Sequence, residues 1–468
     1  MVDDKVVAKM PRRSLFTSGF GLSGVALSQL LHHDISVATT KRDSDSFSLQ
    51  RTTAAKAKHV IFLAMTGGAS QIDMFDHKPE LGKWSGRPLP ASVAGGERFA
   101  NVNGAASVFP SPFKFSQCGD AGMWHSSLLP HFAKIANHVC LVKTMYSDEI
   151  NHPSGQLKML TGFSQSGRPT VGAWLSYGLG SQNDELPTFV VLNSGEGIEC
   201  GHECAGSGFL SARHAGVLLE GHEEPLLFLN NPHGINSRVR RKSLDTLAQL
   251  NQVEYNSSGD TAILDRIGQY EMAFRLQTSL PEVVDVTSEP EHIQNLYGLS
   301  GKRSSFAANC LLARRLVERG VRYVQLNHGG WDFHSTLPQR IPEICRQVDQ
   351  AGSALVLDLA QRGLLEDTIV VWGTEFGRTP ITERNQGRDH HKTFCIWIAG
   401  GGFKPGFQCG ETDDFGFHAV SPRLDFHDLH ATLLHQLGLD HTKLTSIHQG
   451  REFRLTDVGG VVRSELLN

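Results

Sequence analysis

Several features that would assign a chain quickly are missing here. Net charge is only -4 across 468 residues, with a pI near 6.6, so there is no electrostatic case for a nucleic-acid partner. The one dense basic stretch, Arg238-Val-Arg240-Arg241-Lys242, leads straight into a helical pattern and reads as a solvated helix start. Gly67-Gly68 and Gly400-Gly401-Gly402 lack the spacing of a nucleotide loop and read as turns. No internal repeat and no low-complexity segment is found, which excludes repeat architectures. The eight cysteines are scattered, and Cys310, Cys345 and Cys395 sit in apolar patterns as plain buried residues. Cys200-Gly-His202-Glu-Cys204 could be a metal clip or a local disulfide. With no second cysteine pair nearby, a loop with incidental thiols is the expected reading.

A membrane span needs about 20 strongly apolar residues. The N-terminal stretch from Thr17 to Leu31 contains Ser18, Gly19, Gly21, Ser23 and Gly24 and is too polar for that. It follows Arg12-Arg13, and paired arginines before a modest apolar region resemble a twin-arginine export signal. Residues 1–45 are therefore expected to be signal and linker, with the twin-arginine export machinery as a partner and a periplasmic or extracellular destination. Residues 46–468 are expected to form a single domain.

Within it, His59–Ala64, His138–Val142, Pro187–Leu192, Tyr323–Leu326, Thr368–Trp372 and Phe394–Ala399 are short apolar runs that read as buried strands. Residues 243–320 change character to helix. Ser243 is the expected cap of a run with Leu244, Leu247, Leu250 and Val253 at helical spacing, followed by helices at about 263–276 and 306–318. From Pro342 to Gly363, Ile344, Val348, Ala351, Leu355 and Leu359 share one face. Strand, crossover helix and parallel strand in this order predict an α/β fold, a three-layer sandwich with a mostly parallel sheet and a helical insertion.

Three polar clusters flank the C-terminal strands: His328-Gly-Gly-Trp-Asp332-Phe-His334, Glu375-Phe-Gly-Arg378-Thr-Pro, and Asp389-His390-His391. In open α/β sheets ligands bind beside strand ends. Carboxylates and imidazoles gathered there suit a divalent metal, zinc, calcium or magnesium. On a strand, Asp332 and His334 would both point to one side of Phe333.

The motifs Gly329-Gly-Trp-Asp-Phe-His334, Trp372-Gly-Thr-Glu-Phe-Gly-Arg-Thr-Pro380 and Gly387-Arg-Asp-His-His391 carry a resemblance to the "domain of unknown function 1501" family. That family lies within the alkaline-phosphatase and sulfatase superfamily, and the likeness spans roughly residues 58–460. The segment from His427 to Gly438 is similar to the helix that closes sulfatase domains. The resemblance implies an alkaline-phosphatase-like fold and a metal centre using Asp332, His334, Glu375, Asp389 and His390 or His391. Phe376 stands where an imidazole would be expected, and Thr66 where an aspartate would be. Asp73 and Asp76, a few residues on, read as residues of a solvated turn.

Asn151-His-Pro-Ser-Gly-Gln-Leu-Lys-Met-Leu-Thr161-Gly162 looks like a sulfatase signature with Asn151 in the nucleophile position and Gly155 in that of an arginine. An asparagine amide cannot attack an ester, so the usual covalent route is set aside. Asn151, His152 and Arg378 remain the candidate catalytic residues, with His152 as acid or base. The expected activity is metal-dependent hydrolysis of a sulfate or phosphate ester, a polysaccharide among the candidate substrates. The alternative is a non-catalytic protein that binds an anionic ligand or partner through a residual metal site. If the clusters form one centre, donor atoms of Asp332, His334, Glu375 and one of Asp389, His390 or His391 should lie within about 6 Å of each other.

Overall fold

A computed structural model describes residues 54–95, 107–196, 198–219, 231, 234–299 and 305–468. Arg12 and Arg13, and with them the expected export signal, lie outside these residues. The main sheet contains β1 (His59–Thr66), β2 (Val139–Tyr146), β3 (Phe189–Ser194), β4 (Val217–Leu219), β5 (Tyr323–Gly329), β6 (Thr368–Gly373), β7 (Thr393–Ala399) and β8 (Phe407–Cys409). Their spatial order is β8-β2-β7-β6-β1-β5-β3-β4. The sheet is mostly parallel; β7 alone runs antiparallel to both of its neighbours, β2 and β6.

Helices cover both faces because alternate strand residues face opposite ways. The principal ones are α1 (His152–Thr161), α2 (Val171–Leu179), α3 (Ser237–Ser258), α4 (Ala262–Val284), α5 (Phe306–Glu318), α6 (Leu337–Gln361) and α7 (Phe426–Gln436). Ile61, Leu63 and Met65 of β1 pack in one core with Leu311 and Leu316 of α5 and Leu355 and Leu359 of α6. Val60, Phe62 and Ala64 pack in the other, with Leu157 and Leu160 of α1, Trp174 of α2 and Leu433 of α7. The α/β three-layer arrangement is thus as the strand and helix periodicities predict.

Local details differ from the sequence reading. Helix α3 starts earlier than expected: Asn236 caps it by accepting from Val239 N, and Ser243 lies inside, bonded back to Val239 O. Of its predicted apolar face, Leu244 is buried, but Leu250 and Val253 are 62% and 69% exposed. Cys200 and Cys204 form a disulfide, so neither metal clip nor free thiols describe that loop. Among the described residues, no helix is long and apolar enough to cross a membrane.

One topological feature positions everything that follows. Parallel strands β1, β2, β5 and β6 send their carboxyl ends to one edge, and antiparallel β7 begins at that same edge. The segments after Thr66, Tyr146, Gly329 and Gly373, and the segment before Thr393, therefore meet there. This is the place where open sheets bind ligands.

Candidate metal centre

Register brings the strand ends level: Thr66 pairs with Gly329, and Ala64 with Gly373. Beyond β1 the chain turns at Gly67, φ +118°, where a Cβ would lie 2.8 Å from the main-chain nitrogens of Trp331 and Asp332. Only glycine allows that approach. Arg378 then pins the junction. Its guanidinium is 1% exposed and donates to Gly68 O (2.8 Å), Gly67 O (2.5 Å), Arg388 O (2.9 Å) and Asp332 Oδ1 (2.6 Å).

Around Asp332 Oδ1 stand three imidazoles. His334 Nε2 is 3.0 Å away, His152 Nε2 3.4 Å and His390 Nε2 3.5 Å. One donor atom from each of these four residues lies within 4.8 Å of the others. The rings are close neighbours, with centroids 4.5 Å apart for His152 and His390, and 4.7 Å for His334 and His390. Phe376, fully buried, packs on His390 at 4.6 Å and His152 at 4.8 Å, so it forms an apolar wall at the position where the resemblance implies an imidazole.

Each imidazole is held from behind. His152 Nδ1 faces Glu375 Oε1 at 2.8 Å, His334 Nδ1 faces Glu383 Oε2 at 2.5 Å, and His390 Nδ1 faces Ile150 O at 2.6 Å. An acceptor behind Nδ1 places the ring proton there and leaves the Nε2 lone pair facing forward, the arrangement of metal-binding histidines. Among the described residues, His152 Nε2 and His390 Nε2 are buried and, beyond their long 3.4 and 3.5 Å approaches to Asp332 Oδ1, have no hydrogen-bond partner. Buried nitrogens so left favour a bound cation, since an orphaned buried acceptor is costly. Three imidazoles and a carboxylate fit zinc or a similar divalent ion.

Electrostatics agree with a site built around charge. Burial opposes ionisation of Asp332, but the rings of His152, His334 and His390 and the Arg378 guanidinium overcome it, holding its carboxyl well below the usual range. Burial likewise opposes charging His152, yet Asp332 and Glu375 push its pKa up to about 9. Asp332 raises His334, whereas burial dominates His390 and lowers it. Asp332 thus faces two rings that favour a proton and one that does not, and a divalent ion would replace that competition with shared coordination.

The predicted residues divide. Asp332, His334 and His390 come together at the expected edge, joined by His152, whose Nε2 faces the centre rather than standing apart as an acid or base. Glu375 is buried behind His152: Oε1 also accepts from Gly67 N (2.8 Å) and Oε2 from Thr374 Oγ1 (3.0 Å). Asp389, also buried, accepts from His390 N (2.8 Å) and groups with Glu383 and His334, one donor atom of each within 4.8 Å of the others. His391 turns the other way, with Nε2 2.5 Å from Phe417 O and its ring stacked on Phe417.

Asn151 is exposed at the start of α1, where its main-chain carbonyl accepts from Gly155 N (2.8 Å). Gly155 faces the centre's back wall: a Cβ there would lie 3.1 Å from Phe376 and 3.3 Å from Glu375 Cγ, which leaves an arginine no room. Thr66 is buried, its hydroxyl without a hydrogen-bond partner among the described residues. Asp73 and Asp76 are not in a solvated turn. Asp73 makes a fully buried two-point pair with Arg388, and Asp76 accepts from Thr412 and pairs with Lys78. Glu383 was not foreseen, because it sits in an irregular loop with nothing in its neighbours to mark it. Ile150 acts through its backbone, which sequence does not display.

Solved structures similar to this chain share little sequence with it. A sulfatase from Pseudoalteromonas sp. aligns at 12% identity and TM-score 0.39, over 88% of this chain and 72% of that one. The lipoteichoic acid synthase LtaP from Listeria monocytogenes aligns at 9% identity and TM-score 0.36, over 87% and 76%. A variant of TAB5 alkaline phosphatase with Mg bound aligns at 11% identity and TM-score 0.32, over 76% and 94%. No curated protein sequence gives a significant match. A family model does match, from residue 57 to residue 467, and the chain belongs to that family, described as "Protein of unknown function (DUF1501)".

Proposed function

We propose that this protein is a metal-dependent hydrolase of sulfate or phosphate esters that acts on an exported substrate, polysaccharides included. The observation that carries the proposal is the convergence of three backed imidazoles on Asp332 at the carboxyl edge of the sheet. His152, Asp332, His334 and His390 would hold the ion, which when bound supplies Lewis acidity to the ester oxygens and activates water for attack. Arg378 orients Asp332, while Glu375, Glu383 and the Ile150 carbonyl fix the imidazole tautomers. Asn151 offers no covalent nucleophile, so attack is direct. Its amide, beside the start of α1, is suited to donating to an ester oxygen, where helix N–H groups also favour an anion.

Export is supported by Arg12-Arg13 and by the Cys200–Cys204 disulfide, a bond at home in oxidising compartments. A second reading, ligand binding without turnover, is favoured by Asn151 at the nucleophile position. Metal analysis after purification without added metal, followed by a panel of chromogenic sulfate and phosphate esters, separates the two. Metal with turnover supports the hydrolase, and metal without turnover supports the binder. His334→Ala and His390→Ala should each lose the ion. A folded protein that takes up no zinc, manganese, magnesium or calcium would sink both readings.

A further inference from the structure

We propose that the hollow at the C-terminal end of α1 binds a tetrahedral oxyanion, a sulfate or phosphate group, at a site separate from the metal centre. The inference goes beyond the hydrolase reading and does not depend on an ion being bound. His152 stands at one end of α1 and Thr161 at the other, about 14 Å apart at the rise of a helix.

Three chain segments build the hollow. Thr161, Gly162 and Phe163 come from the end of α1. Arg168 and Pro169 precede Thr170, which caps α2 by accepting from Ala173 N (3.3 Å). The third is a hairpin of β9 (Thr445–His448) and β10 (Arg451–Arg454). Gln449 and Gly450 turn it with positive φ, +50° and +78°, as a tight two-residue hairpin requires. Phe209 borders the hollow, stacked on His448 at 5.0 Å.

Arg168 carries the site. Its guanidinium carbon lies 4.4 Å from the ring centroids of both Phe163 and Phe453, and that of Arg451 lies 4.8 Å from Phe453. Contact with rings engages the flat faces of a guanidinium and leaves its N–H edge open, a planar fork suited to an oxyanion. Among the described residues, no acceptor meets that edge within hydrogen-bond or ion-pair distance. The two rings already restrict the side chain, so binding costs little further freedom.

Charge points the same way. Arg168, Arg451 and Arg454 gather at the hollow with Asp457 as the carboxylate among them. Asp457 Oδ1 stands 3.7 Å from Arg451, and Arg454 Nε donates to the main-chain oxygen of Asp457. Nearby acidic residues are engaged elsewhere: Glu452 accepts from Thr445 Oγ1 (2.7 Å), and Glu203 from Gly167 N (3.4 Å). Burial lowers the pKa of Arg168; Asp457 works against this and Arg451 with it, as for a cation short of counter-charge. An oxyanion supplies both the charge and the acceptors.

The test is titration calorimetry at neutral pH with the full chain, stripped of metal by a chelator and dialysed. The probes are inorganic sulfate, inorganic phosphate and a sulfated maltohexaose, with neutral maltohexaose as control. Wild type should bind the charged probes and not the neutral sugar. Tighter binding of the sulfated sugar than of inorganic sulfate identifies a group carried on a saccharide, and equal affinity a free anion; both support the inference. Arg168→Lys keeps the charge and loses the fork, and should weaken binding about tenfold or more. Arg451→Gln changes a side chain that is 63% exposed. It should fold normally and weaken binding severalfold, so the test survives a poorly folded lysine variant. A fastening role for Arg168 alone would leave anion affinity unchanged in the Arg451 variant. Wild type that binds none of the charged probes, or binds the neutral sugar equally, overturns the inference, as do folded variants with wild-type affinity. None of these results touches the hydrolase reading, which metal content and turnover decide.

Discussion

Glu383 provides the sharpest test of how the centre is built. It is not one of the four residues gathered at Asp332 Oδ1, yet its Oε2 lies 2.5 Å from His334 Nδ1 and favours the proton on that nitrogen. Glu383→Ala removes this acceptor and frees His334 to change tautomer or rotate, although all four forward-facing donors remain. Loss of such a backing partner typically weakens metal affinity about 10–100-fold, or about 1.4–2.7 kcal/mol. Glu383→Gln keeps an oxygen that can accept from Nδ1 and should lose less, about tenfold or under. Competition of the purified variants against a chromogenic chelator would measure both constants, with circular dichroism and a thermal melt confirming that each is folded. Folded Glu383→Ala protein with unchanged zinc affinity would refute the claim that the imidazoles are oriented from behind. An alanine variant no weaker than the glutamine variant would refute the tautomer argument in particular.

Other consequences can be checked separately. Gly387→Ala would place a Cβ 2.0 Å from the His334 main-chain carbon; an overpacking cost of about 1–3 kcal/mol in urea unfolding should be accompanied by weaker metal binding. His430 is fully buried, with Nε2 2.9 Å from Met159 O, and burial followed by the charge of His427 lowers its pKa to about 3. Its neutral form is therefore favoured by folding, so its contribution is intact above about pH 6.5 and is lost as pH falls toward 3. At about 1.4 kcal/mol per pH unit, wild type should lose about 2 kcal/mol between pH 6.5 and 5 more than His430→Phe, and equal slopes would discount the residue. Replacing Arg12 and Arg13 together with lysine should retain the protein in the cytoplasm, read by fractionation, because the arginine pair is an address and not a bulk charge; unchanged export would remove that assignment.

Much of the architecture was legible because buried parallel strands announce themselves as continuous apolar runs, and α6 kept its predicted face of Ile344, Val348, Ala351, Leu355 and Leu359. The meeting of the three clusters followed from strand ends alone. What sequence could not separate was front from back: Glu375 and Asp332 are both carboxylates just past a strand, and only the turn at Gly67 decides that one is buried behind His152. His152 was visible as a residue but not as a donor facing the centre, since that depends on β2 lying parallel to β6 with β7 between them. The exposure of Leu250 and Val253 shows a helical period without a surface to bury it, so amphipathic spacing promised more burial than the tertiary structure provides. Asp73 and Asp76 were misjudged because their partners, Arg388 and Thr412, lie more than three hundred residues downstream.

The Arg378 clasp has a bearing on how variants of this protein should be interpreted. Among the described residues Asp332 is the one carboxylate that meets its guanidinium, while the rest of its bonds go to carbonyls from chain segments far apart in sequence. Removing the carboxylate from Asp332 would leave the buried Arg378 guanidinium with carbonyl partners only, although the 41% exposure of Asp332 lets solvent screen the pair and keeps the loss below that of a fully buried one. Asp332→Ala would then lower stability as well as ligand or metal binding, so a thermal melt has to accompany either assay. Substitutions at His334 or His390 touch no such clasp and allow the chemistry to be interrogated in protein that still accumulates. Natural variation should follow the same division, with Asp332 and Arg378 lost together or not at all, while the imidazoles can drift in copies of the fold that have given up the ion.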